Sequence, residues 1–296
     1  MINKTRKVVW FTFTQVITSN WFSLITILGI VGLLFGTQYD KLMKFLSGNS
    51  GAISNNVSTT MANSNGSNGM FIVQFMIVFI LFILILMYGS NIANSIVEEK
   101  SGRIIETLLC YVKPLELLSG KILGYVLGIC VQISVWVGYY FVLATTIEMP
   151  DNGIFNVLSN LGEKAIILMT ASIILGFIMY AFAFAALASF ADNAQDSTQL
   201  MMPVGIVILG AYFVSLASLN GVDGIVMDIL SYAPFFSSIV IFVTSDLVNL
   251  TLKELLIAVG IQAIEAVVIA IICSNIYRRG VISYGLKKLS FSRTKK

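Results

Sequence analysis

The stretch that decides the fold is Phe75–Met87, which reads FMIVFILFILILM and contains only apolar side chains. It lies within a longer segment, residues 70–93, that carries no charged residue. A helix needs about 20 predominantly apolar residues to cross the hydrocarbon core of a bilayer. The stretch therefore predicts a membrane-spanning helix over residues 70–93.

The whole chain has the composition of a membrane protein. Of its 296 residues, 57% are hydrophobic and 11% are charged, and the mean hydropathy is +0.90. Soluble domains are about 45–50% apolar and about 25% charged. A water-soluble enzyme is excluded, because so few charged residues cannot cover a soluble globule. The net charge of +3 is too small to indicate a nucleic-acid partner.

Several kinds of chemistry are missing from the sequence. Histidine is absent, which removes His-based catalysis and His-ligated metal sites. The sequence contains neither of the two Gly-rich phosphate-binding motifs, G-x-x-x-x-G-K-[ST] and G-x-G-x-x-G. The three cysteines form no C-x-x-C pair and stand far apart, at Cys110, Cys130 and Cys273. We therefore predict that the chain is not an enzyme and that it holds no metal or cofactor itself.

The remaining apolar runs complete a bundle of six spans. A mixed aromatic and polar stretch, Val8–Ile17, predicts a helix that lies in the membrane interface. Residues 37–69 become rich in Asn, Ser and Gly and predict an external loop. The apolar part of Asn220–Thr251 is too short to cross, so it predicts a short re-entrant pair before helix six. The predicted fold class is all-α, one six-span transmembrane domain over residues 1–296, with spans of about 18–36, 70–93, 117–147, 165–190, 200–219 and 252–276.

The positive charges predict the orientation of these spans. Fourteen of the 18 Lys and Arg residues lie at the two ends of the chain and in segment 96–121, and four lie on the other side. Cytoplasmic segments of membrane proteins carry this excess, so we expect both termini and residues 96–121 in the cytoplasm. A cleaved signal peptide is the alternative for the N-terminus. We disfavour it because the apolar run begins late and lacks a clear cleavage site.

The segment Ile96–Leu109, IVEEKSGRIIETLL, predicts an amphipathic cytoplasmic helix, with a kink expected at Ser101-Gly102. On its polar face Glu99 precedes Arg103 by four residues, the favourable order for an ion pair. Such a helix is either an interfacial anchor or a docking surface. The mixed charge favours a protein partner over anionic lipid. The charged residues of this surface are Glu98, Glu99, Lys100, Arg103 and Glu106, within residues 96–114.

Glu265 is the one ionisable residue near the middle of a predicted span. A carboxylate at that depth costs about 2.5–3.5 kcal/mol on insertion scales. Two interpretations stay open. The side chain is either hydrogen-bonded to a neighbouring helix for structural reasons, or it lines a cavity or a cation path.

Three stretches resemble the permease subunits of type-2 ABC exporters, and among these the branch for sodium extrusion and antibiotic-peptide export. They are SIVEEKSGRIIETLL (Ser95–Leu109) followed by Lys113-Pro114 and Gly120–Gly124, YAPFFSSIVIFVTSD (Tyr232–Asp246), and NIYRRGVISYG (Asn275–Gly285). The resemblance covers nearly the whole chain. The external loop departs from it, because many relatives carry a large folded domain at that position.

The resemblance implies an ATP-driven export permease in a bacterial cell membrane. Two permease subunits, identical or homologous, pair in that family, and a separate ATPase that binds ATP and Mg docks on the coupling segment after helix two. The charged residues of segment 96–114 then face the ATPase. The substrate stays open among a cation, a drug and an antimicrobial peptide. Two other classes also stay open: an ion-coupled secondary transporter or channel, and a non-transporting toxin-immunity protein. A neighbouring ATPase gene would separate the three.

Overall fold

The computed structural model describes residues 2–32, 34, 67–146, 154–220, 229–230, 232–240 and 252–282, and every regular element in this part is an α-helix. The predicted all-α class is thereby confirmed. In chain order the helices are α1 (Ile2–Thr18), α2 (Asn20–Gly32), α3 (Ser67–Ser101), α4 (Ile104–Tyr111), α5 (Pro114–Thr146), α6 (Ile154–Ala188), α7 (Ala194–Leu219), α8 (Ser237–Val240) and α9 (Leu252–Ile282).

Five helices of the described part contain a stretch that is long and apolar enough to cross a membrane, namely α3, α5, α6, α7 and α9. The first two helices, α1 and α2, meet at 58° and add a sixth span if they are taken as one broken helix. The chain is a multi-pass α-helical membrane protein. The predicted spans 70–93, 200–219 and 252–276 lie within α3, α7 and α9. The predicted spans 117–147 and 165–190 end one and two residues beyond α5 and α6, and the predicted first span, 18–36, begins at the bend.

The bend between α1 and α2 is centred on Ser19. Its hydroxyl donates to the carbonyl of Val16 at 2.7 Å and accepts from the backbone N–H of Phe22 at 3.2 Å. One side chain thus hydrogen-bonds with the backbone of both the last turn of α1 and the first turn of α2, where the backbone hydrogen bonds of the helix are interrupted. The aromatic and polar stretch Val8–Ile17 lies entirely in α1. Its position in the membrane interface stays a prediction.

A stripe of glycines on α5 receives α1. A Cβ added at Gly120 would lie 2.9 Å from Val8, one at Gly124 would lie 2.6 Å from Thr12, and one at Gly128 would lie 2.6 Å from Val16. Both sets of residues recur every four positions and rise together along the chain, so the two helices run parallel at this contact. Small residues at such spacing let helix backbones approach closely in membrane proteins.

The centre of the bundle is α3, which packs against α6 and α7, while α9 lies against α6. Tyr88 on α3 is 1% exposed, and its ring meets Phe177 of α6 edge-on at a centroid distance of 6.3 Å. Next to it, Gly89 leaves room for the ring of Phe184 directly against the α3 backbone. This close packing holds α3 in place over much of its length.

The short helix α8 is buried between α6 and α7. Phe235, just before it, adopts a left-handed φ of 71°, which is costly for a bulky residue, and its carbonyl accepts a 2.7 Å hydrogen bond from the Tyr180 hydroxyl. Of the predicted re-entrant pair, α8 is the regular helix that the structure describes in full. Most of the remaining residues of 220–251 lie outside the described residues, as do residues 35–66 and 283–296. The predicted external loop, 37–69, is therefore described only at 67–69, which form the start of α3.

Candidate functional site

The helix predicted over Ile96–Leu109 is not a single helix. α3 continues without interruption to Ser101, so the first residues of the segment form the last turns of a membrane-spanning helix. The chain then breaks at Gly102 and Arg103. Arg103 has φ 56° and ψ 12°, a left-handed conformation that costs a residue with a Cβ about 1–2 kcal/mol. The expected kink is therefore present, and it is sharp enough to end one helix and start another.

The five charged residues predicted at the polar surface lie in three different environments. Glu98, Arg103 and Glu106 are exposed. The Glu99 side chain is 20% exposed, and Lys100 is 2% exposed. The predicted ion pair between Glu99 and Arg103 is wrong, because Arg103 lies beyond the helix break and Glu99 pairs with another residue.

The partner of Glu99 is Lys121, near the start of α5. Glu99 Oε2 lies 2.7 Å from Lys121 Nζ, and the lysine side chain is only 5% exposed. The same ammonium group donates to the hydroxyl of Ser95 at 3.2 Å, one turn earlier on α3. A buried ammonium group is stable only when it is paired and hydrogen-bonded. This lysine therefore ties two successive turns of α3 to α5.

Lys100, the next residue on α3, connects to a different part of the bundle. Its Nζ lies 3.3 Å from Asp192 Oδ1 and donates to the carbonyl oxygen of Ser189 at 2.8 Å. Both partners belong to the turn from α6 to α7. The last turns of α9 also reach this point, since a Cβ added at Gly280 would lie 2.8 Å from the Cβ of Ser189. The Asp192 side chain is 62% exposed, so water reaches the carboxylate of the Lys100–Asp192 ion pair.

We define the ion-pair cluster as Glu99, Lys100, Lys121 and Asp192. Two adjacent residues in the last turn of α3 are thus paired with two different neighbours. The end of α3 cannot move relative to both without separating a buried charge from its partner. Removing one partner of a buried ion pair commonly costs about 3–5 kcal/mol. The cluster therefore makes the base of α3 rigid up to the helix break.

Beyond the break, α4 presents a mixed surface. Ile105 is 4% exposed, and Leu108 packs against the core, so the bundle holds one side of α4. Glu106 of α4 is exposed, and so are Ile104 at 53% and Tyr111 at 73%. Aromatic side chains are enriched at protein interfaces, which leaves α4 suited to contact a partner.

Glu265 lies on α9 and is half-buried, and its Oε2 has no hydrogen-bond partner among the described residues. One turn earlier, Gln262 is 1% exposed and bonded to Ser172 of α6. The Ser172 hydroxyl donates to the side-chain oxygen Oε1 of Gln262 at 2.7 Å, and the Gln262 side-chain amide Nε2 donates to the backbone carbonyl of Ser172 at 3.0 Å. No described neighbour supplies the hydrogen bond that a structural role for Glu265 requires. Its role stays a prediction.

Sequence reasoning missed Lys121, Asp192 and the Ser172–Gln262 pair. A lysine inside an otherwise apolar helix is a signal that a partner exists. Only the packing of α3, α5 and the α6–α7 turn shows which residue that partner is. In the part of the chain that the structure describes, no group of three or more His, Cys, Asp or Glu residues is placed to hold a metal ion.

The fold and the site together define a class: a multi-pass α-helical membrane protein in which the long helix α3 ends in a charged break beside a short amphipathic helix. Comparison with known families narrows the class. Residues 34–274 match the family described as ABC-2 family transporter protein, and the chain belongs to this family. The resemblance to a type-2 ABC permease is confirmed. The sodium and antibiotic branch stays a prediction.

Two relatives show how far the similarity extends. The chain is 24% identical over 215 residues to the uncharacterized protein YhaP of Bacillus subtilis, covering 71% of this chain and 51% of the relative. It is 29% identical over 208 residues to the uncharacterized protein MJ1024 of Methanocaldococcus jannaschii, covering 70% of this chain and 49% of the relative. The chain thus spans about half the length of these relatives.

Proposed function

We propose that the chain is the permease subunit of an ATP-driven ABC exporter in the cell membrane, and that a separate ATPase subunit, which binds ATP and Mg, drives it. Membership of the ABC-2 transporter family supports a permease. The observation that carries the coupling is the end of α3, where an exposed charged break and an amphipathic helix adjoin a buried ion-pair cluster.

In this proposal the docking surface and the transmitting element are different groups of residues. Glu98, Arg103 and Glu106 are exposed and meet the ATPase. Glu99 and Lys100 belong to the ion-pair cluster and pass the movement of α4 to the membrane helices. This division follows from burial, because a lysine that is 2% exposed cannot contact a soluble partner without leaving its site.

The direction of transmission follows from the two ion pairs. A displacement of α4 reaches the base of α3 through the short turn at Gly102 and Arg103. From there Glu99 acts on α5 through Lys121, and Lys100 acts on the α6–α7 turn through Asp192. A rigid helix end connected in this way moves several spans together, whereas a flexible loop would dissipate the displacement.

The buried side chains of the described residues are mostly apolar, so in this proposal a second permease, identical or homologous, completes the pathway. The half-buried Glu265, with Gln262 one turn away, is the residue of α9 that we assign to the pathway. Both termini lie in the cytoplasm, as the distribution of Lys and Arg predicts. The substrate class stays open among cations, drugs and antimicrobial peptides.

The coupling proposal is tested by co-expression with a candidate ABC ATPase, chosen because it co-purifies with the wild-type chain. In the triple variant Glu98→Ala, Arg103→Ala and Glu106→Ala, co-purification of the ATPase and ATP-driven transport in vesicles should both fall. The amount of folded permease should stay unchanged, because all three side chains are exposed. Asp196→Ala is the matched control: this exposed acid lies at the start of α7, outside the α4 surface, and its loss should have no effect.

Two outcomes would contradict the proposal. If the triple variant binds the ATPase and transports at the wild-type rate, the segment is only an anchor. If the permease transports in vesicles without any ATPase and follows an ion gradient, it is an ion-coupled transporter. Glu265→Gln tests the pathway separately: it removes the charge but keeps the shape, and full transport at normal expression would discard a charged role for Glu265.

A further inference from the structure

The outer side of α1 contains a groove that no part of the proposed transport mechanism uses. Its volume is about 710 Å³, and it is lined by residues of α1 and one residue of α5: Arg6, Lys7, Val9, Trp10, Phe11, Thr14 and Leu127. Small-ligand pockets in proteins measure about 300–1,000 Å³, so the groove is large enough for a lipid headgroup and the start of an acyl chain.

Most of the residues that α1 contributes to the groove lie away from the face that packs on α5, and Val9 and Leu127 form its border with α5. Val8, Thr12 and Val16 meet the glycine stripe of α5. Arg6, Trp10 and Thr14 follow the same four-residue spacing but lie on the opposite side of the helix, and Lys7 and Phe11 lie on its flank. Because the glycine contact brings the two backbones close together, this face is held in a defined position.

The polar part of the groove is positively charged. Arg6 and Lys7 are exposed, and neither has an ion-pair partner among the described residues. The first 39 residues of the chain contain no Asp or Glu that could neutralise them. The Thr14 hydroxyl already donates to the backbone carbonyls of Trp10 and Phe11, at 3.0 and 2.8 Å, and is therefore not free to bind a ligand in the groove. Among the lining residues, the charged donors are the side chains of Arg6 and Lys7.

The apolar part of the groove lies one turn further along the same helix than the two cations. Trp10 and Phe11 are each 66% exposed, and Leu127 on α5 is 45% exposed. Tryptophan is enriched at the membrane–water boundary, where its ring is apolar and its N–H can reach polar groups. A ligand that satisfies both parts must carry a negative headgroup and an apolar chain.

We propose that this groove binds one anionic phospholipid, with its phosphate on Arg6 and Lys7 and its chain along Trp10, Phe11 and Leu127. Guanidinium and ammonium groups are the side chains that bind phosphate best, and Arg does so with two parallel hydrogen bonds. The lipid would hold α1 at the membrane surface beside the start of α5, whichever substrate the protein transports.

The test uses the full-length protein in vesicles of neutral phosphatidylcholine that contain brominated phosphatidylglycerol or, in parallel, brominated phosphatidylcholine at equal mole fraction. Quenching of Trp10 is obtained as the difference between the wild type and Trp10→Phe. The anionic quencher should be preferred. Arg6→Gln and Lys7→Gln should each reduce that preference about fivefold, the equivalent of the ~1 kcal/mol that one basic residue contributes at an anionic surface.

Three controls make the result decisive. Arg6→Lys keeps the charge and should keep most of the preference. Lys113→Gln removes an exposed charge from the same end of the bundle but outside the groove, and the preference should not change. Inorganic phosphate, added against chloride at equal ionic strength, should not displace the lipid.

The proposal is overturned if the two brominated lipids quench Trp10 equally, or if Lys113→Gln lowers the preference as much as Arg6→Gln does. Displacement by inorganic phosphate would show that the groove takes a soluble phosphate and would overturn the assignment to lipid. None of these readouts depends on the ATPase or on transport, so a failure of the proposed function would leave this test intact.

Discussion

Replacing Glu99 by Leu should destabilise the folded protein strongly, although the change is conservative in volume. The replacement leaves the ammonium group of Lys121 buried, with the Ser95 hydroxyl at 3.2 Å as its remaining described partner. The prediction concerns the free energy of unfolding of the purified chain. The loss of stability depends on the geometry of the ion-pair cluster and is the same whichever substrate the protein transports.

The magnitude follows from the distance and the burial. At 2.7 Å, two unit charges attract by about 6 kcal/mol with an effective dielectric constant of 20, and by about 1.5 kcal/mol in bulk water. The side chains of Glu99 and Lys121 are only 20% and 5% exposed, so the attraction is closer to about 6 kcal/mol than to its value in bulk water. The attraction offsets the cost of burying both ions. Removing the carboxylate alone leaves that cost for the lysine, which we expect to be about 3–5 kcal/mol.

The assay is a double-mutant cycle in mixed micelles, with unfolding by sodium dodecyl sulfate followed by circular dichroism. The variants are Glu99→Leu, Lys121→Met and the two together. The double variant replaces both ions by apolar side chains and should recover to within about 1 kcal/mol of the wild type. The coupling energy should then be about 2 kcal/mol or more. Glu106→Leu, at an exposed position of α4, is the matched control and should change stability by less than about 0.5 kcal/mol.

Two results would refute this reasoning. A loss of less than about 1 kcal/mol in Glu99→Leu would mean that water reaches Lys121 and that the pair is not buried in solution. A double variant as unstable as the single variant would mean that the loss comes from packing around residue 99. In either case the cluster could not stiffen the base of α3.

Three further predictions concern the packing and the orientation of the bundle. Gly124→Ala should cost about 1–3 kcal/mol in unfolding free energy, because its backbone already touches α1, whereas Gly138→Ala, with open space around it on the same helix, should be neutral or slightly stabilising. Asp192→Ala should lower stability by about 1–2 kcal/mol, since it removes the carboxylate beside a buried lysine while water still reaches the site, and Asp196→Ala should cost less than about half of that. A single cysteine at Ser101, with the native cysteines replaced, should react with a membrane-impermeant thiol reagent only in inverted vesicles; labelling in intact cells would contradict the predicted orientation.

The sequence was sufficient for the features that depend on local composition. Runs such as Phe75–Met87 are apolar enough to require a membrane, and no arrangement of the other residues changes that requirement. The family resemblance was also readable from the sequence, because its motifs lie in contiguous stretches, and the match over residues 34–274 confirms it. The kink near Gly102 was predictable for the same local reason, since Ser-Gly is a weak point in a helix.

The sequence could not assign the charges of segment 96–114 to their partners. Glu99 and Arg103 have the spacing of a helical ion pair, and the pair would form if the helix continued. The break at Gly102 and Arg103 ends the helix, so a separation of four residues no longer places Glu99 and Arg103 on the same helical face. Lys121 is separated from Glu99 by the whole of α4, and nothing in the local pattern connects the two residues.

What the sequence by itself determined, then, is that this chain is a bundle of apolar helices of the ABC-2 transporter family with a charged segment after the apolar run at Phe75–Met87. Only the tertiary structure decided which of those charges face outward and which are buried. The physical reason is that a charge in an apolar bundle is stable only beside an opposite charge. The turn from α6 to α7 supplies Asp192 to Lys100, and the start of α5 supplies Lys121 to Glu99. Those contacts join residues far apart along the chain, and they form only when the helices have packed.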